Sequence, residues 1–239
     1  MIISNAHRFV MLAPWKTASS TTHVLLAPYN ESPYDRWHHF SRRLKRVVSQ
    51  HLTLPDFRGL PESKLGYRTA SFVRNPYDRV YSAFVQVVHD ADHQATVPFP
   101  SPWVREMVMA QVAELAAQLR AADFDFEKWW ALVEEHQVYV AGRNTSFPLH
   151  PAHYWAGGRG QRTVDFVGKV EAYEEDLARF CAMVAIPGPT ERIRVNASPG
   201  PVGEGPYRHA ARMSPAARSK VESLFRDDFE LFGYDFFRP

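Results

Sequence analysis

The chain has 239 residues, 45% hydrophobic and 23% charged, close to ordinary globular usage, which excludes a disordered or fibrous protein. A chain of this size buries roughly 70% or more of its unfolded surface, enough for a single domain over 1–239 around a sheet, with no disulfide or metal staple. Lys and Arg number 28 against 26 Asp and Glu, a net charge of +2, and the densest basic run, Arg42, Arg43, Lys45 and Arg46, is too short to suggest duplex nucleic acid.

The elements follow in chain order. Residues 8–13 form a short apolar run closed by Pro14 and predict a buried strand. A hydroxyl-rich turn over 16–22 leads into a helix through Leu26. After a loop with Pro28 and Pro33, the spacing of Phe40, Leu44, Val47 and Val48 predicts a helix over 37–50, and 51–66 reads as loop.

A strand over 67–74 ends at Asn75-Pro76, where Asn75 suits an N-cap, Pro76 the first helical position, and Asp78 the first turn of a helix over 76–89. Two helices are predicted over 103–122 and 126–137, then an irregular stretch over 138–162, a strand over 164–168 and a helix over 173–184. In that helix Leu177, Phe180, Cys181 and Val184 keep core spacing. Cys181 is the single cysteine, which excludes an intrachain disulfide framework and a cysteine zinc site. A Pro/Gly-rich loop over 187–206 precedes a closing helix over 214–231. Strands alternating with helices predict an α/β fold with a central, mainly parallel sheet flanked by helices.

No apolar run approaches the ~18 residues of a membrane span. The charge of Arg8 inside the first apolar stretch is wrong for a secretory signal, which points to a cytoplasmic protein.

Two segments carry candidate chemistry. At the carboxyl end of the first strand, Lys16, Thr17, Ala18, Ser19, Ser20, Thr21 and Thr22 offer an ammonium, five hydroxyls and the free N–H groups of a helix start, a cradle for a phosphate-like anion. The first glycine of the chain is Gly59, so the glycine-rich phosphate loop of nucleotide triphosphatases is absent. At the end of the second predicted strand stands Arg74, with Ser82 on the helix that follows. An arginine supplies a bidentate fork for phosphate and a serine one more hydrogen bond, at the sheet edge where open α/β sheets bind ligands. Arg79 reads as a structural ion-pair partner.

These two segments resemble the sulfotransferases. The run from Lys16 to Thr21 resembles their 5′-phosphosulfate loop, with Trp15 in place of the usual proline and Pro14 one residue earlier. The run Arg74-Asn-Pro-Tyr-Asp-Arg79-Val-Tyr-Ser82 resembles their 3′-phosphate motif. The stretch from Val164 to Glu171 and the stretch from Asp228 to Tyr234 resemble two further motifs of the carbohydrate branch, which includes heparan 2-O-sulfotransferase, the chondroitin and dermatan enzymes and bacterial relatives.

The resemblance implies a three-layer fold related to the P-loop kinases. It also implies transfer of a sulfuryl group from 3′-phosphoadenosine 5′-phosphosulfate (PAPS) to a hydroxyl of a sugar, glycolipid or small natural product, with no metal required. Lys16 would neutralise the leaving phosphate, Thr17 to Thr21 would donate to the phosphosulfate, and Arg74 with Ser82 would hold the 3′-phosphate. Arg208, in a late Tyr207-Arg208 pair following Asn196, is a further phosphate candidate. The acceptor hydroxyl needs a base; matching Arg42 and Leu44 to the family aligns His38 with its histidine, with His39 the alternative.

His150 and His153 fall where relatives place an acceptor-site segment. Pro151 between them and the lack of an adjacent Cys or acidic partner argue against a metal. Golgi relatives carry a membrane anchor, and without one a bacterial cytoplasmic enzyme is expected. Two rival readings are a nucleotide-dependent kinase on the same fold and a non-catalytic polyanion-binding module. Trp103, Trp129, Trp130 and Trp155 suit either an acceptor cleft or the core.

Overall fold

The computed structural model describes residues 1–34, 39–93, 101–138, 149–158, 163–189 and 207–238. His38 and Asn196 lie outside the described residues. In chain order the elements are β1 (Ile2–Ser4), β2 (Phe9–Leu12), α1 (Ser19–Leu25), β3 (His39–Ser41), β4 (Arg46–Val48), α2 (Leu54–Arg58), β5 (Arg68–Val73), α3 (Pro76–His93) and α4 (Pro102–Ala121). There follow α5 (Phe126–Leu132), α6 (Glu135–Val138), α7 (His153–Ala156), β6 (Phe166–Lys169), α8 (Tyr173–Met183), α9 (Pro215–Leu224) and α10 (Arg226–Phe232). None of the described helices is long and apolar enough to cross a membrane.

The main sheet has the order β1-β2-β5-β6; β2, β5 and β6 are parallel, and β1 pairs antiparallel at the edge. This is the α/β arrangement expected from the alternation of strands and helices, since parallel neighbours require crossover connections. The register sets Leu12 opposite Ser71 and Val73 opposite Lys169, so the carboxyl ends of the parallel strands meet at one edge.

Side-chain alternation splits these strands between two apolar layers. Phe9, Met11, Ala70 and Phe72 pack with Leu177, Phe180, Cys181 and Val184 of α8 and the residue after it, the core stripe read from the sequence. Val10, Leu12 and Val73 pack on the other face with Leu54, Phe57 and Trp155. A third cluster, around Tyr77, Val80, Trp129, Trp130, Phe225 and Phe229, joins α3 to α5, α9 and α10.

Gly168 in β6 lies against the Phe72 ring, where an added Cβ would stand 2.5 Å from a ring carbon. Gly168→Ala is therefore expected to destabilise the fold by about 1–3 kcal/mol through overpacking, read as a lower urea midpoint. An unchanged midpoint would mean that ring and strand separate at no cost.

Three predicted elements are corrected. The helix expected over 37–50 is the hairpin β3–β4, with His39 opposite Val48, Phe40 opposite Val47 and Ser41 opposite Arg46. Its turn contains Lys45 in the left-handed region, φ 50°. Val47 and Val48 are buried, and β-branched residues in a buried pair favour the strand even where their spacing also fits a helix. The basic run thus occupies a hairpin turn: Arg42, Arg43 and Lys45 are exposed, Arg43 donates to the Gly59 carbonyl at 2.9 Å, and Arg46 pairs with Asp56.

The helix expected over 126–137 breaks after α5, where Val133 is extended and the buried Gln137 side chain accepts the Glu134 N–H at 2.7 Å. The closing helix divides at Phe225 into α9 and α10.

Candidate active site

The turn after β2 is built without glycine. Lys16 and Ala18 nevertheless take left-handed conformations, φ 63° and 57°, and α1 starts from Ala18 with no side-chain cap. Each such residue costs about 1–2 kcal/mol. Left-handed residues in a turn aim successive backbone N–H groups into one concavity, an anion-binding shape. The Thr17 hydroxyl donates inward to the Pro14 carbonyl at 3.0 Å, and the Thr22 hydroxyl to the Ala18 carbonyl at 3.1 Å. Thr21 is buried, whereas Ser19 and Ser20 remain half-buried in the first turn of α1. Trp15 stacks on His51 with ring centroids 3.9 Å apart, and His51 Nδ1 donates to the Ala13 carbonyl at 2.7 Å. This ties the turn to the segment that follows β4.

Arg74 follows directly from β5, the neighbour of β2. Its Nη1 reaches the Lys16 carbonyl at 3.5 Å, which brings the two predicted anion-binding residues together. Asn75 caps α3 as expected, its side chain accepting the Tyr77 N–H at 3.0 Å. Its own N–H donates at 2.7 Å to Glu171, which also accepts from the Tyr234 hydroxyl at 2.9 Å. The two stretches 164–171 and 228–234 therefore meet beside Arg74. Lys169 Nζ donates to the Gly233 carbonyl at 3.3 Å and lies over the Tyr234 ring.

One face of α3 carries Asp78, Ser82, Gln86 and Asp90 at successive i, i+4 positions, while Tyr77, Val80, Ala83, Phe84 and Val87 enter the core. Lys16 Nζ donates to Gln86 Oε1 at 3.1 Å, and Gln86 Nε2 donates to Asp90 Oδ1 at 2.8 Å. Ser82 is buried between the Asp78 and Gln86 levels.

Cations accumulate here. Burial, and next the nearby Arg74 guanidinium, push the Lys16 ammonium down to about 8, while Asp90 pulls it up. Burial lowers Arg74 as well; Asp78 and Glu171 oppose this, and Arg208 adds to it. Burial lifts the Asp78 carboxyl to about 6 against the pull of Arg74 and Arg208. Arg208 Nε donates to His209 Nε2 at 3.0 Å, and burial followed by the neighbouring arginines holds His209 down at about 4. Lys16 and Arg74, desolvated and repelling each other, with Arg208 also repelling Arg74, form a site that an anion would relieve.

His150 and His153 belong to a different network. Asp228 accepts from the N–H groups of Ala152 (2.6 Å) and His153 (3.0 Å) and from His153 Nδ1 (2.9 Å), and lies 3.6 Å from Arg79. Arg79 Nη1 donates to the His150 carbonyl at 2.6 Å, the structural role read from the sequence. His150 Nδ1 donates to the Val138 carbonyl at 2.9 Å, and burial holds its ring down at about 4, hence neutral near pH 7. Trp129, Trp130 and Trp155 are fully buried, whereas Trp103 is 49% exposed and packs edge-on to Phe40, 46% exposed, on β3. Of the alternate base residues, His39 begins β3.

Sequence reasoning missed Gln86 and Asp90, and left Glu171 outside the site as a strand-end ion-pair partner. The signal for the first two was the four-residue spacing onward from Ser82, which places all three on one helical face. No group of three or more His, Cys, Asp or Glu suited to a metal occurs among the described residues.

A model described as the sulfotransferase family matches residues 1–235. No curated protein and no solved structure matches the chain.

Proposed function

The chain belongs to the sulfotransferase family, and from that premise we propose that it is a PAPS-dependent enzyme of the carbohydrate branch, sulfating a hydroxyl of a sugar, glycolipid or small natural product. The observation that carries this reading is the meeting of Lys16 and Arg74 at the carboxyl edge of adjacent parallel strands, 3.5 Å apart through the Lys16 carbonyl. A bisphosphate donor presents two anionic groups, and the site offers a cation for each.

The 5′-phosphosulfate lies on the turn, held by backbone N–H groups of Thr17 to Thr21 and the half-buried Ser19 and Ser20. Arg74 and Ser82 hold the 3′-phosphate, and Arg208 adds a third cation. The acceptor oxygen forms a bond to sulfur as the bond from sulfur to the bridging phosphate oxygen breaks. The electron pair stays with the 5′-phosphate, where the Lys16 ammonium offsets it. The hydroxyl proton passes to a histidine, His38 or alternatively His39. The stack of Trp15 on His51, just past β4, supports that assignment, because it holds the end of β4, where Val48 pairs with His39, near the Lys16 turn. Such in-line transfer relies on positioning and fixed charge, so the cations present need no metal beside them. His153, with Nδ1 held by Asp228, has its Nε2 for an acceptor, while the Trp103–Phe40 pair offers an apolar face. The whole chain acts as one domain, in the cytoplasm of a bacterial cell.

Calorimetric titration tests this. The desulfated product, 3′-phosphoadenosine 5′-phosphate (PAP), is expected to bind, and ATP, lacking the 3′-phosphate, to bind at least about tenfold more weakly, the loss of one charge-assisted contact. Preference for ATP would favour the kinase reading instead.

A further inference from the structure

We propose that Gln86 and Asp90 are positioning residues for Lys16, a bridge from α3 that fixes the direction of its ammonium and keeps it charged beside Arg74. The inference rests on the donor-site reading above.

The geometry fixes the bridge's polarity. An ammonium only donates and a carboxylate only accepts, so a group placed between them must accept at one end and donate at the other. A glutamine amide does this, and both contacts are at hydrogen-bond length, 3.1 Å from Lys16 Nζ and 2.8 Å to Asp90 Oδ1. The one-turn separation of Gln86 and Asp90 sets the amide and carboxylate in line on α3.

The electrostatics give the bridge a task. Burial and the Arg74 guanidinium at the end of β5 both disfavour a charged lysine, and Asp90 is the group acting in the opposite direction. Among the described residues, His89 also lies 3.5 Å from Asp90 and is mostly exposed. Neutralising Asp90 removes the countercharge, so the Lys16 proton comes off at lower pH. Removing the Gln86 amide disconnects the ammonium from Asp90 and frees it to rotate away from the turn.

The test is PAP affinity from pH 6.5 to 9.5 for the wild type, Asp90→Asn, Gln86→Leu and Lys16→Met, with urea midpoints as a folding control. Wild-type affinity is expected to fall above a break near about 8, where the free Lys16 loses its proton. Asp90→Asn is expected to move that break down by about one pH unit, and Gln86→Leu to weaken binding severalfold at pH 7. Lys16→Met is expected to erase the break. A merely structural role would change affinity or the urea midpoint and leave the break in place. An unmoved break in Asp90→Asn, or wild-type affinity at pH 7 in Gln86→Leu, with Lys16→Met erasing the break, would overturn the bridge alone. A break that survives in Lys16→Met, or wild-type protein that binds no PAP, would overturn the donor-site reading and the bridge with it.

Discussion

Arg74→Ala is expected to weaken PAP binding by roughly a hundredfold, while the urea midpoint moves little. The guanidinium is desolvated at the end of β5, beside Lys16 and facing Asp78 and Glu171. A bidentate, charge-assisted contact to phosphate in such a setting is worth about 3 kcal/mol, close to two powers of ten in affinity. The stability effect is small because two consequences oppose each other. Asp78 and Glu171 lose a nearby cation, but Lys16 and Arg208 lose a repelling neighbour. Arg74→Lys should recover about tenfold, since a lysine restores the charge and not the planar fork. Calorimetry of the three proteins at fixed ionic strength decides it. Wild-type affinity in Arg74→Ala would place the 3′-phosphate elsewhere, with Arg208 the next candidate.

The second large effect concerns stability. Asp228→Ala is expected to destabilise the fold by about 3–5 kcal/mol, because one buried carboxylate accepts the N–H groups of Ala152 and His153 at the start of α7, holds the His153 ring and faces Arg79. Its loss leaves the guanidinium of Arg79, 1% exposed, without that countercharge over the Phe225 ring. The double variant Arg79→Met/Asp228→Leu should recover part of the loss, since an apolar pair of similar volume removes both buried charges together. Urea unfolding of the two variants measures this. If Asp228→Ala unfolds at the wild-type midpoint, α7 and Arg79 are held by something other than this carboxylate.

The spacing along α3 shows where sequence reading succeeded and where it stopped. Asn75-Pro76-Tyr-Asp78 marked the helix start, and the cap formed as expected because its signals are local: a side-chain acceptor, a fixed proline φ and a carboxylate at the positive end of a dipole. The four-residue spacing from Ser82 to Gln86 and Asp90 sets these residues on one face of α3, but the helix read from the sequence ended at 89, and which partner that face meets depends on the β2–β5 register, a contact between residues far apart in the chain. Gln86 is 70 positions from Lys16, and no local pattern links them.

By itself, then, the sequence determined the alternation that makes a parallel sheet, the two strand ends carrying Lys16 and Arg74, and the core stripe through Cys181, since each follows from period, caps and residue chemistry within a short window. Tertiary structure alone decided three other things. It turned 39–48 into a hairpin, because burial of Val47 and Val48 outweighed a helical spacing that fitted equally well. It gave Asp228 and Glu171 their partners, joining α10 to α7 and the exit of β6 to Asn75. And it shaped the glycine-free turn after β2, because packing holds Lys16 and Ala18 in left-handed conformations that their own side chains disfavour.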